Sequence, residues 1–127
     1  MNIKEIARKE TVVAEIMENR EKGDTSTLIK LCSDNKTAFT IDNFEACEIT
    51  NDSGEKEMVY AYTVSENKKE FFFAGFVLKK IFDSIVNAYQ GDYESAYNAM
   101  KREKLVVRFG EKKTKNKQTV TTIDVLD

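Results

Sequence analysis

Across residues 37–126 the apolar positions change spacing twice, from every second residue to every third or fourth and back again. A period of two belongs to strands and a period near 3.6 to helices, so few layouts remain open to the chain. Phe39 and Ile41 alternate with Ala38 and Thr40. Asp42 and Asn43 interrupt, and Phe44, Ala46 or Cys47, and Ile49 resume, which predicts one long strand with a bulge at the interruption. Asn51, Asp52, Ser53, Gly54 and Glu55 carry hairpin-turn chemistry. A second strand is expected at 58–64, a turn at 66–69, and a third strand at 70–76 ending on Ala74 and Gly75. Leu78, Ile81, Phe82, Ile85 and Tyr89 then form a helical stripe closed by Gly91. Asp92 is placed to cap a further helix through Tyr93, Ala96, Tyr97 and Met100. Leu105, Val107 and Phe109 begin a fourth strand, 110–117 reads as a charged loop, and 119–126 is a fifth strand.

Ahead of this pattern, residues 2–20 space Ile3, Ile6, Ala7, Val13, Ile16 and Met17 as a helix, and Gly23 breaks it. Asp24 can cap one short turn through Leu28 and Leu31, with 33–36 as a turn. The division expected is an N-terminal helical extension, 1–36, and a β-rich domain, 37–127. Three strands, a helical stretch and two more strands is the order of the OB-fold, a five-stranded Greek-key barrel with its helix between strands three and four. The fold class is therefore mainly β with helices. The barrel is expected closed or nearly so, the Leu78, Ile81, Phe82 and Ile85 face plugs one end, and the leading helix is an addition that packs on the barrel or on a second subunit. The rival is an α+β layer with helices on one face of an open sheet.

At 127 residues the chain suffices for one domain with its own core. It has no histidine, which removes the commonest general base and the commonest zinc ligand. It has neither a phosphate-binding Gly-x-x-x-x-Gly-Lys loop nor Gly-x-Gly-x-x-Gly. The carboxylate pairs Glu45 with Glu48 and Asp92 with Glu94 match no metal-ligand spacing and read as solvated surface. No catalytic residue, metal or cofactor is expected. Cys32 and Cys47 read as reduced packing residues. No membrane-spanning run or signal peptide is evident, so a cytoplasmic protein without a membrane partner is expected.

The run Phe72, Phe73, Ala74, Gly75, Phe76, Val77, Leu78, after a tyrosine-rich strand, resembles the small OB-fold single-stranded DNA-binding proteins of Gram-positive phages and conjugative plasmids. Phe109, Gly110, Glu111, Lys112, Lys113, Thr114 and Lys115, with 119–125, resembles their last hairpin. The likeness spans 37–126 and is one of pattern and length. It implies a non-catalytic, largely sequence-independent binder of single-stranded DNA, or RNA, in phage replication or plasmid transfer. The acidic tail of housekeeping single-strand binders is not seen after the last strand, which points to a mobile-element protein.

Such binding needs rings for base stacking and positive charge along the phosphates. Tyr60, Tyr62 and Phe72 are the stacking candidates, expected to face outward if Val59, Ala61, Phe71 and Phe73 fill the barrel. The net charge is only −2, but Arg108, Lys112, Lys113, Lys115 and Lys117 gather near the last hairpin, and Lys69 lies in the preceding turn. These are the phosphate candidates. Self-association along the strand, or a homodimer, is compatible with this reading. The alternative is an interaction module docking its aromatics on a replication, transfer or host-defence protein.

Overall fold

The structure, a computed structural model, describes residues 15–126. In chain order the elements are α1 (Glu15–Glu18), β1 (Glu21–Lys22), α2 (Thr25–Asn35), β2 (Phe39–Thr50), β3 (Lys56–Val64), β4 (Asn67–Phe73), α3 (Phe76–Ala88), α4 (Tyr93–Glu103), β5 (Leu105–Lys113) and β6 (Thr119–Leu126). The strands form one six-stranded sheet in the order β1-β4-β3-β2-β5-β6. The protein is thus mainly β with helices.

The long strand β2 is shared. Phe39, Thr40 and Ile41 pair with Val107, Val106 and Leu105 of β5 on one edge, and on the other edge β2 pairs with β3, Ile41 with Val64 and then 43–50 with 56–63. The ladder with β3 shifts register between Ile41 and Asn43, where the β5 ladder ends and the alternation breaks in the sequence. The extra residue lets both Ile41 and Phe44 point into the core. Asp42 secures the bulge by accepting from the Thr63 hydroxyl at 2.5 Å and the Ser65 hydroxyl at 2.9 Å.

Three helices cover the inner face. α2 starts at Asp24, whose carboxylate accepts from Ser26 N at 2.9 Å, and buries Leu28 and Cys32 one turn apart. It runs three turns where one was expected, taking in 33–35 and ending at Lys36 in the left-handed region. α3 buries Leu78, Phe82 and Val86, and Phe82 stacks on Phe44 at 4.4 Å. α4 is capped by Asp92, as its sequence predicts, and buries Ala96, Ala99 and Met100. Each large apolar side chain so buried contributes roughly 1.5–3 kcal/mol. A second, smaller cluster lies on the outer face, where Cys47, Ala61 and Phe71 pack with Ile16 and Met17 of α1.

The sheet is not the closed five-stranded barrel expected. No ladder joins β4 to β6 among the described residues. The reason lies at the free edge of β4. Glu21 and Lys22 pair in parallel with Glu70 and Phe71, and Gly23 N donates to Phe71 O at 2.7 Å. Arg20 donates to Asn67 O at 3.1 Å and Glu70 O at 3.2 Å, and the Thr25 hydroxyl reaches Phe73 O at 3.5 Å. An edge whose carbonyls are already satisfied has little left to offer another strand. Residues 21–36, expected as an extension beside the barrel, instead belong to the sheet and to the main core. Of the helix expected at 2–20, residues 15–18 are helical and 21–22 are strand, while Ile3, Ile6, Ala7 and Val13 lie outside the described residues.

Candidate nucleic-acid interface

The register of β3 and β4 decides which aromatics are available. Tyr62 pairs with Phe72 and Ala61 with Phe73, so Tyr62 and Phe72 share one side and Ala61 and Phe73 the other. The side carrying Tyr62 and Phe72 is the inner one. Tyr60, Tyr62 and Phe72 are 5 %, 0 % and 1 % exposed, which corrects their expected outward orientation. Tyr60 packs edge-on against Phe44 and Phe82 and donates to the Asp83 carboxylate at 2.6 Å. That bond, with a smaller contribution from Lys79, holds the Asp83 carboxyl below the usual range despite some desolvation. Tyr62 is enclosed by Phe72, Phe82 and Phe109. None of the three rings presents a face to a ligand. Alternation could not assign the faces, because Val59, Ala61, Phe71 and Phe73 are as apolar as their neighbours and α1 covers part of the outer side.

Of the three exposed aromatics among the described residues, Phe76, Tyr89 and Tyr93, Phe76 is the most exposed. It was expected in a strand but opens α3, and it is 72 % exposed with the Lys80 ammonium 4.3 Å from its ring centre. A sequence signal for this exists: Phe76 stands two residues before Leu78, on the helix face opposite the buried stripe. Nearby Phe73 is half-buried, edge-on to Phe71, with Lys22 5.3 Å from its ring centre. Lys79 is tied to Asp83 at 2.9 Å.

Between the end of β4 and β6 lies a cleft of about 150 Å³, whose lining includes Phe73, Gly75, Leu78, Phe109 and Ile123. It marks the seam where a closed barrel would join. Beyond it the β5–β6 ribbon projects, with residues 111–120 exposed. Lys112 and Lys113 belong to strand β5 and pair with Val120 and Thr119, so the charged loop is shorter than expected. Lys115 and Lys117 sit in the turn, closed by Thr114 N donating to Gln118 O at 2.8 Å. Alternation puts Lys113 on the ribbon side that carries Phe109 and Thr121, which line the cleft, and Lys112 on the other side.

The remaining candidates are scattered. Lys69 is exposed on β4, in a strand and not in a turn. Arg108 is drawn into the structure, its guanidinium donating to Lys36 O at the end of α2 at 3.4 Å, a favourable place for a cation. Among the described residues no group of three or more His, Cys, Asp or Glu is arranged to hold a metal, and no helix is long and apolar enough to cross a membrane. No protein-family model, curated protein or solved structure gives a significant match to this chain.

Proposed function

We propose that the protein is a non-catalytic binder of single-stranded nucleic acid, gripping the strand along the seam between β4 and β6. The observation that carries this reading is Phe76, a largely exposed ring with an ammonium 4.3 Å away. A ring beside a cation suits a stacked base and its phosphate. The basic ribbon, with four lysines and one glutamate across 111–118, supplies further charge. The connectivity supports reading the sheet as an opened OB-fold: β2 is shared by β3 and β5, helix intervenes between β4 and β5, and β6 follows beside β5. The phage or plasmid setting follows from the sequence resemblance alone.

Fluorescence anisotropy with a labelled single-stranded DNA oligonucleotide across a salt series tests the proposal. Phe76→Ala is expected to weaken binding by about 1–3 kcal/mol through the lost stacking surface. Its melting temperature should barely change, because the ring is not core. The salt slope is expected near −0.7 per phosphate contact, flattening when Lys113 and Lys115 become alanine. No single-strand binding at low salt would overturn the reading.

That outcome would favour the second reading, a protein-interaction module. Its support is β6, an outer strand of the sheet with Val120 and Val125 40 % and 57 % exposed, which suits strand addition by a partner.

A further inference from the structure

The sheet carries opposite charge at its two ends. β2 and β5 are antiparallel and share only 39–41 with 105–107. From that shared stretch β2 runs on to Thr50 and β5 to Lys113, in opposite directions along the sheet. The β2–β3 hairpin therefore projects from one end of the sheet and the β5–β6 ribbon from the other. The hairpin holds Glu48, Asp52, Glu55 and Glu57 against Lys56, and the ribbon holds Lys112, Lys113, Lys115 and Lys117 against Glu111. A net charge of −2 conceals this division. Among the described residues no ion pair joins the two, and Lys56 meets Glu48 within the hairpin at 3.5 Å.

Both tips are held by their own backbone. Asn51 N donates to Glu55 O at 2.8 Å, and the Asn51 side-chain oxygen accepts from Ser53 N and Glu55 N at 3.0 Å. At the ribbon tip Lys117 N donates to Thr114 O at 2.9 Å, inside the bond from Thr114 N to Gln118 O. Charges on formed turns lose less freedom when they dock. Each projection also exposes an apolar side chain directly across from a charge. Met58, 46 % exposed, stands opposite Glu48, and Val120, 40 % exposed, stands opposite Lys112. Lys112 and Val120 occupy the ribbon side turned away from Phe109 and the cleft, so a neighbour can use that side while Lys113 faces the seam.

We infer that the acidic hairpin of one copy docks head to tail on the basic ribbon of a second copy, Met58 against Val120 and the carboxylates around Lys112. Such a contact leaves an unused acidic end and an unused basic end, so it extends as an open chain of copies. Ribbon on ribbon, or hairpin on hairpin, would set like charges together. Exposed ion pairs are individually weak and the projections are small, so the contact is weak between free molecules. Copies held side by side on one strand would meet at an effective concentration of about a millimolar, where a weak contact suffices. The contact itself stands apart from the single-strand reading, and its test needs no nucleic acid.

Light scattering of the full chain at low salt, from about 10 μM to about 1 mM, reads the average mass over the range that matters on a strand. The mass is expected to rise from 14.6 kDa past that of two copies, and to fall back as salt is added. Lys112→Glu with Lys117→Glu, and separately Glu55→Lys with Glu57→Lys, should each weaken association about tenfold or more. Melting temperatures should barely change, since all four residues are exposed. An equal mixture of the two variants should associate again, because the reversed ribbon of one meets the reversed hairpin of the other. A monomer at every concentration would overturn the inference. So would a mass that stops at two copies, association that survives both reversals, or a mixture that stays monomeric.

Discussion

Gly23 sits where no side chain fits. A Cβ built there would collide with the Phe72 ring and lie 2.7 Å from Glu70 Oε2. Its N–H holds Phe71 O, so the residue brings the β1 backbone against β4 over a buried ring. Gly23→Ala is therefore expected to destabilise the fold by about 1–3 kcal/mol, as overpacking in a tight core does, and chemical denaturation will measure it. Without the tertiary contact, Gly23 reads only as a helix breaker. Phe76 shows the reverse case. Its place two residues ahead of the Leu78 stripe is legible, but the preceding run of phenylalanines continues the strand pattern through it and masks its exposure at the start of the helix.

Among the elements, α1 matters most for what the outer face of the sheet can do. Ile16 and Met17 lie over Cys47, Ala61 and Phe71, and Cys47 is 2 % exposed beneath them. Burial, with the nearby Glu45 carboxylate adding to it, pushes the Cys47 thiol up, which further slows reaction as thiolate. Cys32 is equally buried, but under α2, where it accepts from Phe109 N at 3.4 Å. Replacing Ile16 and Met17 together by aspartate should lift α1 and speed labelling of Cys47 by a thiol reagent, leaving Cys32 slow. Equal acceleration at both cysteines would mean general unfolding, and no change at either would mean that α1 does not protect the face. The helix stripes and both aspartate caps were legible because they depend on near neighbours in the chain. The partnership of α1 with Cys47 was not, because the covering side chains lie some thirty residues away in sequence.

At the scale of the whole molecule, two buried tyrosines, Tyr60 and Tyr62, and the partly buried Tyr97 set a limit on alkaline stability. Desolvation pushes the Tyr97 hydroxyl up to about 12, even though it accepts a 2.8 Å hydrogen bond from Ala46 N. Burial also raises Tyr60 and Tyr62, and for Tyr60 the bond to Asp83 adds to the shift. The unfolded chain releases these protons near the ordinary value of 10.0, while the folded chain retains them. The folded state then binds more protons, so stability present below about pH 10 is expected to fall as pH rises through and beyond that value. Circular dichroism and tyrosinate absorbance followed together should show these three tyrosines ionising with loss of structure. Ionisation of all five tyrosines of the chain in an intact fold would contradict the burial described.

The sequence by itself determined the run of elements from β2 to β6, the bulge at Asp42, the caps at Asp24 and Asp92 and the basic character of the last ribbon. Each depends on spacing, turn chemistry or charge within a few residues. Tertiary structure alone decided which side of β3 and β4 faces inward, and whether the sheet closes. Both faces of those strands are apolar, so alternation leaves two registers of burial open until α1 and the helical layer take their sides. Closure turned on competition for one strand edge. The N-terminal segment satisfies the carbonyls of β4 with Arg20, Gly23 and Thr25, and β6 is left across a cleft from it.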